Sequence, residues 1–127
     1  MIIGARTHEG KTRMLIKIAN EKSEKYDVYF YNNEEIKEAL YDRGLNFSVN
    51  ILSEKFETIY DFLETLETID EDDTSKPKYY IIDNLGLVIK DNVKDAINIL
   101  SKFHNISLSY NIGTSGLNYR KNYWKII

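Results

Sequence analysis

Ala5-Arg6-Thr7-His8-Glu9-Gly10-Lys11-Thr12 is the stretch whose reading decides the fold of this chain. An Ala, four free positions and then Gly-Lys-Thr match the Walker A pattern. Behind that pattern lies a loop whose backbone N–H groups turn inward onto a polyanion, which demands a glycine where a side chain would block the turn. Gly10 meets the demand. Lys11 then brings a point charge to the outer phosphates of a nucleotide, and Thr12 offers a hydroxyl to Mg2+ while opening a helix whose positive end faces those phosphates. Ala5, Arg6, Thr7, His8, Glu9, Gly10, Lys11, Thr12 and Arg13 are therefore the expected nucleotide-binding residues. An ordinary strand-to-helix turn can spell the same letters, so the surroundings must decide.

On the amino side, Met1 to Gly4 has room for one short strand. On the carboxyl side, Met14, Leu15, Ile18 and Ala19 recur at helical spacing, with Lys17, Glu21 and Lys22 on the other face, which predicts an amphipathic helix of about three turns. Strand, glycine loop and helix are the context that phosphate binding needs. Further on, Tyr26 to Tyr31 reads as a strand and Glu34 to Arg43 as a helix closed by Gly44. Phe47 to Leu52 reads as an edge strand, and Ser53 as the N-cap of a helix striped by Phe56, Ile59, Tyr60, Leu63, Leu66 and Ile69.

The acidic stretch Asp70-Glu71-Asp72-Asp73 leads to Pro77, the single proline, and reads as a surface loop. It lacks the alternating ligands and central glycine of a calcium loop. Lys78 to Asn84 is a run of large β-formers ending in polar residues, the pattern of a buried parallel strand. Asn92 then caps a helix with Val93, Ala96, Ile97, Leu100 and Phe103 inward. Ile106 to Tyr110 is a further strand, Asn111 to Gly116 a turn, and Tyr123 to Ile127 a last short strand. Alternating strands and helices predict a three-layer α/β sandwich with a mainly parallel sheet of five to six strands.

Composition narrows the function classes. A chain of 127 residues is most simply one domain, residues 1–127. It holds no cysteine, which excludes disulfides and thiolate metal sites and suits a reducing, cytoplasmic setting. The net charge of −3 gives no global pull toward nucleic acid or an anionic membrane. No apolar run approaches spanning length, so no membrane role is expected. The bias toward Ile, Lys, Asn and Tyr suits a low-GC source such as a bacterium or its phage.

In a parallel sheet, ligands sit at the carboxyl ends of the strands, so residues just beyond those ends converge. Asp83 ends the most apolar strand, where a carboxylate can hold a water on the Mg2+ bound by Thr12; starting a helix or turn is the alternative and less favoured reading of an Asp there. Glu34, after the second strand, is placed to orient and deprotonate an attacking water, with Glu35 its competitor. Ser109, Tyr110 and Asn111 end the fifth strand, where a polar side chain can sense a γ-phosphate.

Taken together, Ala5-Arg6 with Gly10-Lys11-Thr12, Val28-Tyr29-Phe30-Tyr31 running into Glu34, and Ile81-Ile82-Asp83-Asn84-Leu85-Gly86-Leu87-Val88 resemble the RecA-type ATPase core of DnaB-like replicative helicases, over roughly residues 1 to 111. The resemblance implies ATP and Mg2+ as ligands, with Lys11 and Thr12 on phosphate and metal. It makes Glu34 the catalytic carboxylate beside Lys11, and Asp83 the Walker B acid. It also implies a RecA-like sheet in which the Ile106–Tyr110 strand lies between the glycine-loop strand and the Asp83 strand, and DNA-contacting loops near Thr114 to Tyr119.

The chain departs from that group where Tyr110 or Asn111 stands in place of a glutamine and where Thr7, His8 and Glu9 replace a proline-containing loop tip. Because the sequence ends soon after Arg120, it is also expected to lack the additional strands, linker helix and N-terminal domain that build a ring, and a full motor is not expected. Of the four arginines, Arg120 is the one to examine as a trans-acting finger, though surface solvation is the plainer role. Asn118 to Lys125 interleaves aromatics and cations, which suits either stacking on single-stranded bases or a cationic edge strand.

Two functions follow. One is an ATP-binding, ATP-hydrolysing minimal RecA-like domain in replication, recombination or packaging, acting on single-stranded DNA or as a homo-oligomer. The other is a non-motor, nucleotide-binding or fold-only interaction protein that docks onto a larger nucleic-acid ATPase of host or virus and regulates it. A small-molecule kinase is a third and weaker reading, since few arginines exist to clamp a second phosphorylated substrate.

Overall fold

The computed structural model describes residues 1–6, 10–71, 76–112 and 125–126. Its elements run β1 (Ile2–Ala5), α1 (Lys11–Lys22), β2 (Asp27–Asn32), α2 (Lys37–Asp42), β3 (Asn50–Leu52), α3 (Ile59–Asp70), β4 (Lys78–Asp83), α4 (Leu85–Val88), α5 (Val93–Leu100), β5 (Ile106–Asn111) and β6 (Lys125–Ile126). The strands form one sheet in the order β3-β2-β4-β5-β1-β6. All neighbours pair in parallel except β6, which runs antiparallel to β1. The fifth strand thus lies between β1 and β4.

Alternation of side chains along the strands divides the core in two. Ile3, Val28, Phe30, Tyr79 and Ile81 face α1 and α2, meeting Leu15, Ile16, Ile18, Ala19 and Leu40. Ile2, Tyr31, Tyr80, Ile82, Ile106 and Leu108 face α3, α4 and α5, meeting Phe62, Leu66, Leu85, Val88, Ala96 and Leu100. Helices therefore cover both faces of the mainly parallel sheet, as the alternating pattern predicted. β4 is buried along its whole length, in keeping with its unbroken apolar run.

Several element boundaries differ from the sequence reading. The third helix begins at Ile59, capped by the Thr58 side chain, which accepts from the Asp61 N–H at 3.1 Å, rather than at Ser53. Phe56 is held outside it because its backbone bridges in parallel to Ile89, with Phe56 N–H on Val88 O at 2.7 Å. A tertiary contact thus takes five residues from a local helical pattern. Tyr60 and Phe103, expected inward, are 69% and 42% exposed. The second helix starts at Lys37, not Glu34, and β3 spans only Asn50 to Leu52, leaving Phe47 outside the sheet. The short α4 was not anticipated.

Candidate functional site

Every candidate side chain that the structure describes at a strand end gathers at one edge of the sheet, the carboxyl ends of β1, β5, β4 and β2. The path from β1 to α1 ends on Gly10, whose φ of 81° lies in the left-handed region that only glycine enters freely. α1 opens directly behind it with no acidic residue in its first turn, so its positive end is not neutralised by its own side chains. Lys11 is buried, only 5% exposed, an unusual place for an ammonium without anionic company. Its Nζ hydrogen-bonds to Asn111 Oδ1 at the end of β5 and lies 3.9 Å from Glu34 Oε1.

Asp83, at the end of β4, is the hub. It is fully buried. The Thr12 hydroxyl donates to its Oδ2 at 2.8 Å, the Asn32 amide donates to the same oxygen at 2.8 Å, and the Ser109 hydroxyl donates to Oδ1 at 3.2 Å. Burial raises the Asp83 pKa above its ordinary value and the Glu34 charge adds to the rise, while the hydroxyls of Thr12 and Ser109 and the Lys11 charge oppose it. The hydroxyl donors thus favour the charged carboxylate against the cost of its burial.

Glu34 sits in a turn that Asn32 builds: the Asn32 Oδ1 accepts from the backbone N–H of Glu34 at 2.8 Å and of Glu35 at 2.9 Å. One amide therefore joins the Asp83 carboxylate to the turn carrying Glu34. Its competitor is engaged by a cation instead, since the Glu35 carboxylate pairs with the Arg43 guanidinium. Glu34 Oε1 accepts instead from Asn84 Nδ2 at 2.9 Å. Beside this turn, at the ends of β2 and β3, lies an open cleft of about 450 Å³ lined by Asn32, Glu34, Glu35, Ile51 and Ser53 among others. A smaller apolar hollow of about 130 Å³ lies at the amino ends of β4 and β5, remote from Lys11.

The structure thus brings together Lys11, Thr12, Glu34 and Asp83, from three separate stretches of sequence. Ala5 is buried at the end of β1, Arg6 follows it half-buried, and Arg13 points to solvent on α1. Thr7, His8 and Glu9 lie outside the described residues, as do Thr114 to Tyr119, Arg120 and the aromatic and cationic stretch up to Trp124. Asn32 and Asn84 were missed by the sequence reading. Their one available signal was position, since each ends or follows a strand whose other residues are apolar.

The donor set fits Mg2+. Thr12 and Asp83 offer hard oxygens side by side, and among the described residues no group of three or more His, Cys, Asp or Glu forms an all-protein cage. Mg2+ bound beside phosphates needs only one or two protein oxygens. The described helices include none long and apolar enough to cross a membrane. No protein-family model matches the chain, and neither does any curated protein.

Proposed function

We propose that this chain binds ATP with Mg2+ at the Gly10-Lys11-Thr12 loop and hydrolyses it, as a minimal RecA-like domain serving a nucleic-acid process such as replication, recombination or packaging. The observation that carries the proposal is the contact of Thr12 with Asp83 at 2.8 Å, made where Lys11 and Glu34 also meet. The position of β5 between β1 and β4 adds support, since it is the strand order implied by the likeness to DnaB-like ATPase cores.

In this reading the Gly10 turn and the start of α1 receive the phosphates, and Lys11 exchanges Asn111 for the outer phosphates. Thr12 and Asp83 would hold Mg2+, and the ion would supply neutralisation of charge on the phosphate oxygens. Glu34 takes the proton of a water arriving from the cleft. The water oxygen bonds to the γ-phosphorus as the bond to the bridging oxygen breaks, releasing ADP and phosphate.

The test is binding and turnover of ATP by the purified protein with Mg2+, with and without single-stranded DNA. Turnover stimulated by DNA is the expected result. Absence of ATP binding at millimolar concentration would overturn the reading and favour the non-motor regulator, whereas binding without turnover would retain the site and remove the hydrolysis.

A further inference from the structure

Among the described residues, Asn84 is the one non-glycine residue at positive φ, with φ 63° and ψ 82°. It follows Asp83 directly and is 5% exposed. An L side chain enters this region only against steric resistance, and glycine would enter it without strain. Three hydrogen bonds hold the position: the carbonyl accepts from the Leu87 N–H at 2.9 Å, and the residue donates two more. The backbone N–H donates to Ser109 Oγ at 2.8 Å, and the side-chain Nδ2 donates to Glu34 Oε1 at 2.9 Å. A glycine would keep the two backbone bonds and lose the side-chain bond. What asparagine adds is therefore its amide, aimed at Glu34.

We infer that Asn84 is a positioning residue for Glu34: it fixes Oε1 and leaves Oε2 as the oxygen that accepts the proton of the attacking water. This rests on the hydrolytic reading above. The need for a positioner is visible in Glu34 itself. Its backbone is set by Asn32, yet its side chain is 38% exposed and Lys11 stands at 3.9 Å, beyond hydrogen-bond reach. Among the described residues, the Asn84 amide makes the one hydrogen bond to that carboxylate. The same residue is tied through Ser109 to the Asp83 cluster, so the cation site and the carboxylate share one support.

Asn84→Gly and Asn84→Asp test the inference. Glycine suits the backbone without strain, and aspartate keeps the size and tolerates positive φ while replacing the donor with a second carboxylate. Asn84→Gly is expected to fold and bind ATP as the wild type does, whereas Asn84→Asp sets a buried carboxylate against Glu34 and should lose stability as well as turnover. The kcat of Asn84→Gly should fall about 10- to 100-fold with KM for ATP unchanged, as expected for a misplaced catalytic group. In a Glu34→Gln background, Asn84→Gly should lower single-turnover rates no further, because the two residues act as one unit. Equal losses in both backgrounds, or a wild-type kcat in Asn84→Gly, would overturn the role of Asn84 and leave hydrolysis standing. Failure of the wild-type protein to turn over ATP would overturn both.

Discussion

The hydroxyl of Thr12 donates to the carboxylate of Asp83 at 2.8 Å although 71 positions separate the two residues. The bond links the first residues of α1 to the end of β4, and on the proposed function Mg2+ would be held there. Thr12→Val keeps the volume and removes the hydroxyl, leaving buried Asp83 with one donor fewer. Stability should fall by about 1–3 kcal/mol and the Mg2+ dependence of ATP binding should disappear. Denaturant unfolding and nucleotide titration with and without Mg2+ measure the two effects, and an undiminished Mg2+ dependence would argue against this metal site.

Lys11 and Glu34 lie side by side, and the proposed function gives them different tasks. Lys11→Ala should weaken ATP binding itself. Glu34→Gln keeps shape and hydrogen bonding, so ATP should still bind while turnover falls by about 10²- to 10⁴-fold, the usual contribution of a general base. Isothermal titration beside a phosphate-release assay separates them. Loss of binding in both variants would mean that Glu34 holds nucleotide rather than activating water.

Asp83 predicts an inverse pH dependence of stability. Its folded pKa is raised above the ordinary value of 3.8, chiefly by burial. As pH rises above that value the unfolded chain releases this proton first, so in the window up to the folded pKa the native state binds more protons and stability falls as pH rises. Below the window the contribution is fully present. Asp83→Asn should abolish this component. Thermal unfolding of both proteins in EDTA, from pH 4 to neutrality, tests it, and identical pH profiles would rule it out.

Gly4 makes room for an aromatic ring. It pairs across the sheet with Tyr110, and a Cβ built on Gly4 would meet the Tyr110 hydroxyl at 2.5 Å. Gly4→Ala should destabilise by about 1–3 kcal/mol, the usual range for overpacking. In a Tyr110→Ala background the same change should be nearly neutral. Equal penalties in the two backgrounds would remove the ring as the cause.

The parts legible in the sequence were those written in local pattern. The Gly10-Lys11-Thr12 turn announced itself by residue type, and β4 by an apolar run that only a buried strand tolerates. The covered sheet followed from alternation of elements. Less legible were features set by contacts between distant segments. Phe56 carries a helical pattern with Leu63 and Leu66, yet its bridge to Ile89 keeps it outside α3. Asn32 looked like the end of a strand, but its amide joins Asp83 to the Glu34 turn, a role that depends on β2 and β4 lying side by side. Asn84 owes its part to a backbone angle that no residue pattern discloses.

The pairing of β1 with β5 has a bearing on how the protein is made. Ile2 meets Leu108 and Ala5 meets Asn111, so the strand carrying the glycine loop waits for a partner about a hundred residues downstream. At synthesis rates of about 5–20 residues per second the wait is roughly 5 to 20 s. During it Lys11 lacks Asn111, and Thr12 also lacks Asp83 until β4 has been made. Parallel partners so distant in sequence also make for slow folding. A nascent chain truncated before residue 106 and stalled on the ribosome should consequently retain no ATP, whereas one extended well past residue 111, with that segment clear of the exit tunnel, should capture it.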